Sequence, residues 1–464
     1  MLLLLYMLYV SFAEREKPKM KIGLTVISIA VLVVSYLIVT IWAVDRGTAI
    51  YGFFKILPVG LFALIVSSID KSERMELLEC VPLTAAVNGV LAYGLSFVPV
   101  LSDYFLVAER LGGFFQSPNA FAIFCLAGII ILMTSENINA KKWVLTVVLM
   151  LLVFLTGSRT GFIFLVFTII FLVFTIKNKK TKRNILLALG GIIVVSVIIV
   201  FLTDSVQTVG RFLTISLESS TFLGRLLYYL DALPVIFKNP LGLGYYGYYF
   251  SQGSFQTGVY SVAFVHNSVL QFLLDVGFIP TILFVSALGV SLFSKNANLR
   301  QRLLLLIVFG HSLFDFDLEF TAVFFVLVLA MDFEAFNKKE LPYDKMVVSI
   351  ISSVLIVTSV YFGFVNTLYL LGEYKAVEKI YGCDTMSKVQ LITQEKDSAL
   401  LEEYANDIIS NNGYLAIAYD VKANIAYKKG DFEKVVEYKE KAIASAPYSL
   451  EEYIDYCDKM IVGI

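Results

Sequence analysis

Charge is scarce in this sequence. Only 16% of its 464 residues are Asp, Glu, Lys or Arg, and the net charge is −1. A chain so poor in charge lacks the solvated surface of a soluble globular protein. Without a basic excess it also lacks the electrostatic footprint that nucleic acid requires. Histidine occurs only twice, at His266 and His311, so each is worth placing. The four cysteines (Cys80, Cys125, Cys383, Cys457) show no metal-ligand spacing. A cleavable leader is missing too: residues 1–13 are apolar, but they have neither a basic start nor a small-residue cleavage site, and they are short for a membrane span.

What is abundant is apolar sequence. Hydrophobic residues make up 58% of the chain, and the mean hydropathy is +0.78. Apolar runs recur that are long enough to cross roughly 30 Å of hydrocarbon as helices. Helices are expected at 1–13, 22–44, 50–69, 77–99, 118–134, 143–156, 160–176, 185–203, 267–293, 303–313, 320–331 and 346–370. The expected fold is therefore all-α: a polytopic transmembrane helix bundle of about 12 spans over residues 1–370. One long extracytoplasmic loop, 204–266, interrupts it, and a small helical C-terminal domain, 371–464, follows.

The connecting segments alternate in charge. Those at 14–21, 71–76, 136–142, 177–183, 295–302 and 338–345 carry 19 Lys and Arg. The alternate set (45–49, 100–117, 157–161, 204–265 and 310–319) carries six, although it contains the longest loop. The positive-inside rule makes the first set cytoplasmic. Every motif-like segment then falls on the other face, as does the tail.

On that outer face, Arg159 lies in Gly157-Ser158-Arg159-Thr160-Gly161, within an apolar run. Arginine is expensive at such a place, which favours function, although a hairpin-tip arginine reaching lipid phosphate is the alternative. Arg225 opens an amphipathic stretch that Pro234 and Asn239-Pro240 should end. Two guanidinium groups can neutralise a pyrophosphate without a metal, whereas an ion pair of Arg225 with Asp231 or Glu218 is the structural alternative. Arg211 is a further candidate on the same loop. His266, followed by Asn267, stands where the loop re-enters the membrane. A neutral imidazole there can take a proton from an attacking hydroxyl, or it can serve only to bond loop carbonyls. Gly242, Gly244 and Gly247 with Tyr245 and Tyr246 suggest a flexible aromatic surface for sugar rings, or ordinary interfacial tyrosines. His311 and Asp315 suggest a second polar shell. Arg110 and Asn119 flank a helix entry, where Asn119 also suits a cap. In the tail, Gly430-Asp431-Phe432 between two helical stretches resembles a tetratricopeptide turn.

The ordered set Arg110…Gly113-Phe114…Pro118-Asn119, Gly-Ser-Arg-Thr-Gly, Arg225, Pro240-Leu-Gly-Leu-Gly and His266-Asn267…Gln271…Asp275-Val276-Gly277 resembles the O-antigen ligase and Wzy-type polysaccharide polymerase superfamily over residues 20–335. The resemblance implies a metal-independent membrane glycosyltransferase, without a cofactor, in a bacterial cytoplasmic membrane. Its donor would be an undecaprenyl-pyrophosphate-linked saccharide and its acceptor a saccharide or wall polymer. Arg159 and Arg225 would then contact the pyrophosphate, and His266 would activate the acceptor. Arg110, Arg211, Tyr245, Tyr246, Asn267, His311 and Asp315 would help to bind substrate. The tail, absent from the family core, suggests a protein partner or a glycan. The rival readings are a transporter or flippase of lipid-linked saccharide, against which stand the few charges in the spans and the lack of repeated halves, and a non-catalytic scaffold for the tail.

Overall fold

The computed structural model describes residues 1–13, 19–175, 182–183, 187, 190–191, 220–336, 339–342 and 344–446. The span expected at 185–203 lies almost wholly outside them. Helices dominate, joined by two short antiparallel ribbons that the all-α reading did not foresee. Lys19–Ile22 pairs with Lys339–Pro342, and Leu106–Val107 pairs with Arg110–Leu111. Among the described residues, four helical stretches are long and apolar enough to cross a membrane: Leu24–Ile41, Arg46–Ser67, Lys71–Leu95 and Lys345–Leu370. Four shorter apolar helices, Pro118–Met133, Arg159–Thr175, Phe278–Phe293 and Thr321–Ala330, pack among or beside them. Pro118–Met133 is buried on nearly every side, with a uniformly apolar sequence to match. A helix hydrophobic all round belongs at the centre of a bundle.

The connections collect at two rims, because each long helix carries the chain from one to the other. One rim gathers the basic segments. Lys21 pairs with Asp70 at 2.9 Å, Arg74 with Glu334 at 2.6 Å, and Arg300 with Glu79 at 2.6 Å. The opposite rim holds the motif-bearing segments. There Val44 N donates to the Leu243 carbonyl at 2.9 Å, and the tail joins the same rim. Asn412 Nδ2 donates to the buried Asp45 carboxylate at 3.0 Å, and Tyr381 OH donates to the Gly47 carbonyl at 3.0 Å. The tail itself is a run of helices from Tyr374–Ile380 to Phe432–Ser445. The Ala416–Lys428 and Phe432–Ser445 pair folds back at Gly430-Asp431, where Asp431 caps the second helix.

Three local departures from the expected helices shape the site. The helix expected over 267–293 is two: Ser268–Val276 and Phe278–Phe293, parted at Gly277. Gly277 has φ +82°, and a Cβ there would lie 2.2 Å from the Pro240 carbonyl oxygen. The Pro240–Gly244 run fills this break. Leu243 N and Gly244 N donate to the carbonyls of Leu274 and Asp275 at 2.6 and 3.0 Å. Gly242, at φ +85°, is equally confined, since a Cβ on it would lie 2.4 Å from the Asp275 carbonyl oxygen. Second, the Arg225 helix is not stopped by Pro234 but runs Ser220–Lys238, with the proline inside it. Third, the helical stretch from Leu299 to Ser312 begins before the expected 303 and passes through a π-helical turn at Leu305–Phe309, while Thr321–Ala330 is separate as expected. The intervening loop carries Asp315 and Asp317.

Candidate active site

Asp315 is the hub of the motif-bearing rim. Its side chain is 3% exposed and meets three partners from distant parts of the chain. Arg225 Nη2 donates to Oδ2 at 3.1 Å, His266 Nδ1 lies 3.0 Å from Oδ1, and Asn119 Nδ2 also donates to Oδ2. Arg110 then extends the net, donating from Nη2 to Asn119 Oδ1 at 2.8 Å and from Nε to the Thr156 carbonyl at 2.9 Å. Asn119 therefore bridges two charged groups instead of capping its helix; Ser117 supplies the cap. Burial by itself would push the Asp315 carboxyl up. The hydrogen bond from His266 and the charges of His266 and Arg225 outweigh that and hold it below the ordinary carboxylate range. Its contribution to stability is accordingly present above the ordinary carboxyl value and is lost only as pH falls well below it.

His266 is positioned on every side. Its backbone is left-handed at φ +53°, an uncommon conformation for a residue with a side chain. Tyr229 OH donates to its carbonyl at 2.7 Å, and the Phe316 ring stands edge-on 4.8 Å away. The ring keeps partial access, with the side chain 26% exposed. With Nδ1 on a carboxylate, Nε2 is the nitrogen left to meet a substrate. Among the described residues Arg225 is held through one nitrogen, Nη2. Its Nε is buried with no hydrogen-bond partner among the described residues. Asp231 and Arg225 do not pair: the Asp231 carboxylate is taken by Thr257 N, Thr257 OH and Tyr260 OH at 2.7–2.9 Å. Glu218 and Arg211 lie outside the described residues.

Other expected residues have defined but different surroundings. Arg159 opens the helix Arg159–Thr175, whose next residue, Thr160, meets His311 Nε2 at 3.0 Å. Asn267 is spent on structure: Oδ1 accepts from Val269 N and Leu270 N, and Nδ2 donates to the Leu313 carbonyl at 2.9 Å. Tyr245 is not part of a flexible surface. It is buried beside Gly52, and its hydroxyl accepts from Lys55, which also pairs with Glu319. Tyr246 is half-buried and stands edge-on to Phe264, whose ring reaches Phe316 at 5.1 Å. An aromatic wall thus runs from the Tyr245–Tyr246 run to His266. Asp275 faces another helix, accepting from Tyr36 OH at 2.8 Å and from Gln271. His311 and Asp317 form a second, fully buried pair at 2.6 Å. Sequence reasoning missed Asp317 and Thr160 as site residues, although the alternation of carboxylates in Asp315-Phe316-Asp317 hinted at the first and the Gly157-Ser158-Arg159-Thr160-Gly161 motif contained the second.

Residues 144–285, under a third of the chain, match the family of O-antigen ligases. This segment carries the likeness to O-antigen ligases. It contains Arg159, Arg225, Tyr245, Tyr246, His266 and Asn267, while Arg110, His311 and Asp315 lie outside it. No curated protein and no solved structure matches the chain. The ligase match and the candidate spans together make this a membrane protein, and they support ligation or glycosyl transfer with lipid-linked saccharides.

Proposed function

We propose that the chain is a membrane glycosyltransferase that polymerises or ligates undecaprenyl-pyrophosphate-linked saccharides, working on the outer face of a bacterial cytoplasmic membrane. The observation that carries this reading is the convergence of Arg225 and His266 on one buried carboxylate, Asp315. An acceptor hydroxyl attacks the anomeric carbon of the donor, its proton passes to His266 Nε2, and the lipid pyrophosphate leaves. Asp315 fixes the tautomer that leaves Nε2 free to accept and stabilises the imidazolium that forms. Its role is positioning and not substrate contact, because a carboxylate repels a pyrophosphate. Arg225, through its unpaired Nε, and Arg159 stabilise charge on the departing phosphate. Fixed donors of this kind typically contribute about 10²–10³-fold each. We place the basic rim in the cytoplasm and the tail outside, following the distribution of Lys and Arg. The tail reads as a tetratricopeptide-like module that recruits a protein or glycan.

The test is reconstitution in vesicles with purified polyprenyl-pyrophosphate-linked saccharide. Glycans lengthened or joined to an acceptor support the proposal. Saccharide moved across the bilayer without a new glycosidic bond would instead establish a flippase.

A further inference from the structure

Both histidines end on a carboxylate of one short loop, His266 on Asp315 and His311 on Asp317. The transfer chemistry above uses only the first. His311 is fully buried, with Nδ1 2.6 Å from Asp317 Oδ2 and Nε2 3.0 Å from Thr160 Oγ1. Asp317 Oδ1 is buried without a hydrogen-bond partner among the described residues. The Phe164 ring closes one side of the imidazole at 5.3 Å. Thr160 is half-buried on the first turn of the helix that Arg159 opens, and its hydroxyl lies 3.4 Å from Ser158 Oγ. A hydroxyl–imidazole–carboxylate chain therefore runs from the buried loop to the turn where Arg159 stands. Burying ionisable groups is costly, and neutral amides would tie the same two segments together without that cost.

We propose that Thr160, His311 and Asp317 form a proton-donating relay that serves the departing phosphate of the donor, complementing the proton-accepting His266. This rests on the glycosyl-transfer reading. As the bond between the anomeric carbon and the phosphate oxygen breaks, its electron pair stays on that oxygen. The Thr160 hydroxyl gives the oxygen its proton and takes one from His311 Nε2, leaving a neutral imidazole still bonded to Asp317. Meanwhile the acceptor oxygen bonds the anomeric carbon, and its proton goes to His266. One proton is taken up and one delivered, and exchange with water resets both histidines. Burial works against a charged His311, but the charged groups facing it are Asp317 and Asp315 from the loop, which favour its protonated form and outweigh burial, and Arg225 from the Ser220–Lys238 helix, which opposes it. Arg159 precedes Thr160 on the remaining side.

Initial rates in reconstituted vesicles, measured from pH 5 to 9, test the relay. Wild type should give a bell whose alkaline limb belongs to the relay. T160V should lower the rate at neutral pH by about 10²-fold and flatten the alkaline limb. H311Q should flatten it likewise, and T160S should restore it. T160V with the wild-type rate, or with a reduced rate and an unaltered bell, would overturn the relay while leaving the transfer reading intact. A wild-type protein that transfers nothing at any pH overturns both.

Discussion

The two rims of the bundle treat charge in opposite ways. At the basic rim, ion pairs leave one partner in solvent: Asp70 is 79% exposed, and Glu79 and Glu334 are 41% and 33% exposed. At the motif-bearing rim the carboxylates are inside: Asp315 at 3%, Asp317 at 1% and Glu319 at 8%. Exposed pairs contribute roughly 0–1 kcal/mol each and fasten helix ends. Buried ionic groups add little or nothing to stability relative to apolar packing; the basic rim has its own in Arg74 and Asp332, whereas the motif-bearing rim gathers three buried carboxylates, Asp315, Asp317 and Glu319, within one short loop.

The contrast sets the order of expected effects. The largest should come from H266A and R159A, which remove about 10³-fold or more of transfer while membrane insertion, followed by protease protection, is unaltered. Next comes D315N. It keeps the shape of the hub but loses the charge that orders His266 and Arg225, and should cost about 10²-fold in initial rate. If D315N transfers at the wild-type rate, the buried rim is merely structural. On the basic rim, removing the Lys21–Asp70 pair with D70A should change the rate less than about threefold and barely move the melting temperature. A collapse of activity there would erase the contrast between rims. The smallest effect lies in the tail, where burial pushes the Asp420 carboxyl up to about 6. A raised carboxyl binds its proton more tightly when folded, so the tail should lose stability as pH rises from the ordinary carboxyl range through 6. D420N should flatten that dependence in thermal melts monitored across pH 4–8.

Much of this was legible in the sequence, for physical reasons that differ by element. The segments around Lys21, Arg74 and Arg300, grouped in the sequence by their Lys and Arg, meet at one rim. The Pro240–Gly244 run stood out because only glycine fits its close contacts, but its role as a plug in a broken helix depends on Gly277, more than thirty residues on. Pro234 misled: the helix tolerates it, and the sequence alone gives no sign of the neighbouring structure that supports it. Arg225 and His266 were found as scarce charges on an apolar background. Asp315 was found only as a secondary group, because its partners lie 49 and 90 residues away and spacing carries no trace of such a meeting. Tyr245 was over-read, since an aromatic run looks the same whether it lines a surface or packs on Gly52 and Lys55.

The central claim is that Arg225 and His266 act as one site through Asp315. The direct measurement compares initial transfer rates of H266Q, D315N and the double variant in identical vesicles. If Asp315 orders both His266 and Arg225, D315N should cost clearly less in the H266Q background than in wild type, since the His266 share of its support is already gone and only the Arg225 share remains to be lost. Losses that multiply would mean that the two residues act independently, and the account of a shared hub would fail.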